Sequence, residues 1–168
     1  MAEEIDLFNQ TLIQYAAGPD LLEAALIGLS EADLDLAADP NGWTIRQIVH
    51  HITDGDELWK FCIKAALGNP EGHFSLRWYW DRPQVDWASI WAYERLSIDM
   101  SLQLLRTNRH QIVELLKLSP QAWQKSIWVE WPRCPAEQVT IRYVLEMQTG
   151  HVSGHIDDIQ LIRRAFQI

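Results

Sequence analysis

The sequence predicts an all-α fold, a four-helix bundle with at least one long crossover, and three observations predict it. Apolar residues recur at three- and four-residue spacing in four stretches, clusters of Gly, Pro and Asn separate those stretches, and the connections are too long for simple hairpins. Strand content is expected to be negligible. At 168 residues with 48% hydrophobic and 22% charged side chains, the chain can bury one real core, and residues 1–168 are read as a single domain.

The first helix is expected over about 4–30, with a possible break at Gly18-Pro19, and the polar ADPNG segment after it is a turn. The second opens at Thr44 and runs to about Leu67, stopped by Gly68-Asn69-Pro70. A loop, EGHFSLRWYWDRPQV, leads into a third helix over about 86–118. Pro120, Pro132 and Pro135 then mark an irregular connection in which KSIWVEW reads as a short extended piece, and the last helix begins near Gln138. Thr44-Ile-Arg-Gln-Ile-Val is echoed by Thr140-Ile-Arg-Tyr-Val-Leu, and each Thr is placed to cap the helix it starts.

Composition excludes several functions. The formal charge of -9 repels phosphate backbones, and no basic run is long enough to offset it, so nucleic-acid binding is not expected. The acidic start MAEEIDLFNQ holds no long apolar run, so neither a signal peptide nor a membrane span is read and a cytoplasmic protein is expected. Cys62 and Cys134 lie far apart, outside any metal spacing. Nine tryptophans are present, and Trp78, Trp80, Trp87, Trp123 and Trp131 fall in or beside predicted loops, where they can wall a cleft or an interface.

The histidines carry the chemistry. His151 and His155 are spaced i, i+4, which puts both imidazoles on one helix face. That face also holds Ile141, Val144, Gln148, Val152, Ile159 and Ile162, so both point inward, whereas Arg142, Glu146, Ser153, Asp157 and Arg164 mark the solvated side. Two inward histidines on one turn are costly to bury unless something pairs with both, and a shared divalent metal does so. Of His50 and His51, the second falls beside Ile48 at the edge of the apolar stripe and is the candidate third ligand. Arg46, Asp54 and Glu57 mark the solvent side of this helix, and His50, which falls between Arg46 and Asp54, is read as a solvent-facing or supporting residue. His73 and His110 are read as surface residues. Val152 stands where a zinc-protease HExxH helix needs its Glu, so that mechanism is excluded.

GWTIRQIVHHITDGDELW resembles the second-helix signature of DinB/YfiT-like proteins, HVSGHIDDIQLIRR resembles their C-terminal metal helix, and RPQVDWASIWAYERL resembles the stretch opening their third helix. The resemblance implies a four-helix bundle of up-down-down-up topology, a zinc or nickel ion on His51, His151 and His155, and a homodimer. The chain departs from the family at Asp158, where Gln is common, and at Gly55-Asp56, where the YfiT-like branch has Ser-His.

A three-histidine site leaves a coordination position open, the arrangement of catalytic metal sites. Such a site can acidify water, polarise a substrate oxygen or hold a thiolate. A metal-dependent hydrolase is the first reading, a bacillithiol- or mycothiol-type thiol S-transferase the second, and a non-catalytic metal- or ligand-binding bundle the third. Asp54 and Asp158 are the candidate bases or carboxylates orienting a ligand. Arg77, Tyr79, Trp80 and Arg82 are candidates for a loop that closes over a small, anionic substrate.

Overall fold

The computed structural model describes residues 2–69 and 72–168. Four long helices form the bundle: α1 (Ala2–Leu26), α2 (Ile45–Gly68), α5 (Ile98–Leu118) and α6 (Ile141–Phe166). Two short helices, α3 (Arg77–Trp80) and α4 (Gln84–Ile90), lie in the crossover between α2 and α5.

Side-chain ties between helices give the chain directions. His50 meets Ser101 and Lys64 meets Gln111, so α2 and α5 are parallel; Arg163 reaches the carbonyls of Ala25 and Ile27 near the shared end of α1 and α6. Arg106 pairs with Asp20 while Arg109 bonds Tyr15, so α1 and α5 are antiparallel. The order is up-down-down-up, and the parallel α2–α5 pair is what the long crossover makes possible.

Both threonine caps form. Thr44 accepts from the Gln47 amide in a full capping box, and Thr140 accepts from the Tyr143 amide. These caps fix where α2 and α6 begin and hence which level of the bundle their histidines reach.

Three expectations need correction. α1 is not broken at Gly18-Pro19. Proline at 19 has no N–H to give to the carbonyl of Tyr15, and the Arg109 guanidinium takes that acceptor at 2.8 Å. Gly18 makes this possible, because a Cβ there would collide with Arg109 Nη1.

The third helix does not run from 86. α4 ends at Ile90, Ala92 turns the chain in the left-handed region at φ 53°, and α5 starts only at Ile98, with Ser97 accepting from the Asp99 amide. A continuous apolar pattern hid this cap. Pro70, expected to help stop the second helix, lies outside the described residues, and α2 ends at Gly68.

Strand content is not negligible. β1 (His73–Ser75), β2 (Ser126–Glu130) and β3 (Glu137–Thr140) form a sheet in that order, with β1 parallel and β3 antiparallel to β2. KSIWVEW supplies β2, where Ile127 and Val129 are buried and Trp128 is exposed, the alternation a pleated strand demands. What the sequence did not reveal was its partners, two short segments of weak pattern. The sheet and the crossover pack their apolar faces on Trp59, Ile63 and Leu145, and this brings the loop aromatics over the middle of α2. Trp87 and Trp123 are buried, and of the five loop tryptophans only Trp78 is exposed. No described helix is long and apolar enough to cross a membrane.

Candidate metal centre and its cavity

α2 and α6 bring His51, His151 and His155 to one level. One ring nitrogen from each lies within 4.8 Å of the other two. His51 Nε2 and His151 Nε2 are 3.1 Å apart, and the three rings stand nearly edge-on to one another, with interplanar angles of 77°, 79° and 88°. Trp43 packs on His51 with ring centroids 4.4 Å apart. Gly55, one turn along α2, leaves room for His151; a Cβ there would stand 3.3 Å from its Cε1. The glycine thus serves the site by having no side chain.

Electrostatics keeps the His51 and His151 imidazoles unprotonated at neutral pH. Burial, reinforced by the neighbouring histidines, pushes His51 down to about 3; burial and His155 push His151 down to about 4. An unprotonated imidazole is the form that binds metal. In an unfolded chain both groups take up protons below about 6.5. Between about 4 and 6.5 the unfolded state therefore binds more protons, so the stability of metal-free protein falls as pH drops through that window. Asp56, pushed up to about 6 by burial against the pull of Arg109, acts in the opposite sense. Comparing melts of chelated wild type and His151→Gln at pH 7 and pH 5 isolates the histidine contribution: the variant is expected to lose less stability on acidification, and an equal loss contradicts the assignment.

Asp158 lies one turn past His155 and its Oδ2 is 3.0 Å from His155 Nδ1. A carboxylate so placed would orient His155 if that histidine holds a metal. Asp158→Ala is expected to weaken zinc or nickel binding by about tenfold, the low end of the usual range because the carboxylate is exposed. Competition with a chromophoric chelator reads it, and an unchanged affinity counts against the role.

Asp54 is placed elsewhere. It accepts a hydrogen bond from the Tyr93 hydroxyl and lines an adjoining cavity with His50 and Trp91, with Leu58 bordering both cavities. Burial raises its carboxyl above the ordinary range, opposed by that hydroxyl. His50, read as solvent-facing or supporting, is buried, with Nδ1 2.7 Å from Ser101 Oγ. Arg46, read as solvent-facing, is also buried, between Asp35 at 2.7 Å and Glu31 at 2.9 Å. The face of α2 that a helical wheel assigns to water is covered by α5 and the 3-10 turn Asp33–Asp35.

The crossover supplies the walls of the metal-centre cavity. Tyr79 and Trp80 of α3 line a space of about 240 Å³ together with Trp59, Trp131, His51 and His151. Arg77 and Arg82 do not line it; both are exposed, and Arg82 lies over Trp87 at 5.9 Å. His73 and His110 are exposed, as expected.

The donor set suits a divalent cation of the zinc or nickel type. Two nitrogens each about 2.0–2.1 Å from one ion are separated by close to the 3.1 Å found here. Among the described residues no carboxylate or thiol joins the three imidazoles, so the set would leave coordination positions for substrate or solvent.

A profile described as the DinB superfamily matches residues 14–159. The chain belongs to the DinB superfamily. Among its relatives, a protein of Halalkalibacterium halodurans is 33% identical over 142 residues, 84% of this chain and 78% of that protein. A protein of Geobacillus thermodenitrificans is 29% identical over 150 residues, 87% of this chain and 78% of that one. Both are named, provisionally, as metal-dependent hydrolases. The structure resembles YfiT from Bacillus subtilis, described as having an unusual four-helix bundle topology, with a TM-score of 0.80 at 21% identity, covering 95% of this chain and 87% of YfiT. It also resembles a mycothiol-dependent maleylpyruvate isomerase, with a TM-score of 0.67 at 15% identity, covering 94% of this chain and 67% of that enzyme.

In this DinB-superfamily chain the sequence reading missed Arg109, whose guanidinium is fully buried among all four long helices. It donates to Asp56 Oδ1 at 2.8 Å, to the Tyr15 carbonyl at 2.8 Å and to the Gln148 carbonyl at 3.0 Å, and stacks over the Tyr15 ring. The available signal was Asp56, four residues past Ile52 on the apolar stripe of α2, a buried carboxylate in need of a cation.

Proposed function

We propose that the protein is a metal-dependent hydrolase of a small-molecule substrate, with zinc or nickel on His51, His151 and His155. The observation that carries this reading is the convergence of three imidazole nitrogens, without a fourth protein donor among the described residues, beside a cavity able to seat a substrate. A divalent cation there supplies a Lewis acid that acidifies water or polarises a substrate oxygen at neutral pH.

The chain's own groups do the rest. Burial keeps His51 and His151 in the neutral form, and Asp158 fixes the His155 tautomer. Tyr79, Trp80 and Trp131 wall the cavity against bulk water. Asp54, held by Tyr93 in the adjoining cavity, is a supporting group, so its removal slows turnover without abolishing it.

Activity in a hydrolase screen is expected to vanish with a chelator and to return with added zinc or nickel. Turnover that survives complete metal removal overturns the reading. Thiol S-transfer is the second reading, supported by the fold shared with a mycothiol-dependent enzyme; a strict requirement for a low-molecular-weight thiol co-substrate selects it.

A further inference from the structure

The cavity beside the histidines carries more information than its size. Among the described residues six buried side-chain polar atoms lack a hydrogen-bond partner, and three of them, Trp131 Nε1, Gln148 Oε1 and His151 Nδ1, belong to residues lining this one cavity. A buried polar atom left unpaired is costly, so three of them on residues lining one cavity call for a partner that arrives with a ligand. Gln148 is itself only 3% exposed, so bulk water does not satisfy it.

The walls say what kind of ligand. Trp59, Trp80 and Trp131 form a cluster with ring centroids 5.0–6.1 Å apart, and Tyr79 continues the aromatic surface. Among the described residues no Asp, Glu, Lys or Arg lines the space. A charged group placed against these walls, away from the ion that the histidines would hold, would lose its water without gaining a counter-charge from the protein. A flat, apolar body would stack on the indoles instead.

We propose that this cavity binds an uncharged, planar part of the substrate that carries both a hydrogen-bond acceptor, for the Trp131 indole N–H, and a donor, for the Gln148 side-chain oxygen. An aromatic amide or an aromatic ring with paired carbonyl and N–H groups has this chemistry. The inference rests on the reading of the neighbouring histidines as the reactive centre, and it assigns the specificity of that centre to Trp131 and Gln148. It departs from the anionic substrate that Arg77 and Arg82 would have gripped, since neither lines the cavity.

The test is binding of small probes to the purified protein, followed by ligand-observed NMR and tryptophan fluorescence. Benzamide is expected to bind, with benzylammonium and cyclohexanecarboxamide each at least about tenfold weaker, the first for its charge and the second for its shape. Trp131→Phe keeps an aromatic face and Gln148→Leu a side chain of similar size, and each should weaken benzamide about tenfold, the worth of one hydrogen bond, while metal content stays unchanged. His155→Ala separates this proposal from the metal assignment, because His155 does not line the cavity: benzamide affinity should hold whether or not metal is lost. Equal binding of the three probes, or benzamide binding indifferent to both Trp131→Phe and Gln148→Leu, overturns the proposal.

Discussion

His51→Ala is expected to abolish stoichiometric zinc or nickel binding, whereas His50→Ala leaves it nearly unchanged. The two residues are neighbours on α2 but face different partners: His51 Nε2 sits 3.1 Å from His151 Nε2, and His50 is tied to Ser101 of α5. Loss of an orienting partner costs about 10–100-fold in metal affinity, and loss of one of three ligands should exceed that. His155→Ala is expected to match His51→Ala. Metal analysis after dialysis checks all three variants, with circular dichroism to show that each is folded. Comparable losses in His50→Ala and His51→Ala would mean that the metal sits on a different face of α2.

Arg109→Ala is expected to be the most destabilising single substitution away from the histidines, at about 3–5 kcal/mol. The side chain is fully buried and its removal strands the Asp56 carboxylate, also fully buried, along with two backbone carbonyls. That is a large share of the roughly 5–15 kcal/mol by which domains are stable. The double variant Arg109→Met, Asp56→Leu should lose less than Arg109→Ala alone, because it leaves no unpaired charge in the core. Urea unfolding of the three proteins reads the comparison, and a loss under about 1 kcal/mol for Arg109→Ala contradicts the role. Gly18→Ala should weaken the same knot from the other side, by driving a Cβ into the guanidinium.

The residues that sequence periodicity exposes are those whose environment is set by their own helix. His151 and His155 share a stripe with Val144 and Ile159, and His51 lies beside Ile48, so the inward direction of all three follows from about 100° per residue. Thr44 and Thr140 were legible for the same reason, since a cap is a local hydrogen bond. What tertiary packing decides was not legible. Arg109 sits in TNRHQ, a stretch that reads as surface, and only the meeting of four helices makes it core. Arg46 was read as solvent-facing and His50 as solvent-facing or supporting because the wheel of α2 cannot show that Glu31 and Asp35 cover the first and α5 the second. The sheet escaped notice because a three-residue strand has too little pattern of its own. In the crossover, Tyr79 and Trp80 were found by residue type, and their contact with the metal-centre cavity depends on α3, a helix of four residues that no periodicity reveals.

The most direct measurement of the central claim is metal analysis of untagged protein combined with X-ray absorption at the edge of whichever metal it holds. The account predicts close to one divalent ion per chain, bound by three imidazoles with nitrogens at about 2.0–2.1 Å. A protein that neither retains nor takes up zinc or nickel, or a spectrum showing sulfur ligands or fewer than three imidazoles, would contradict it.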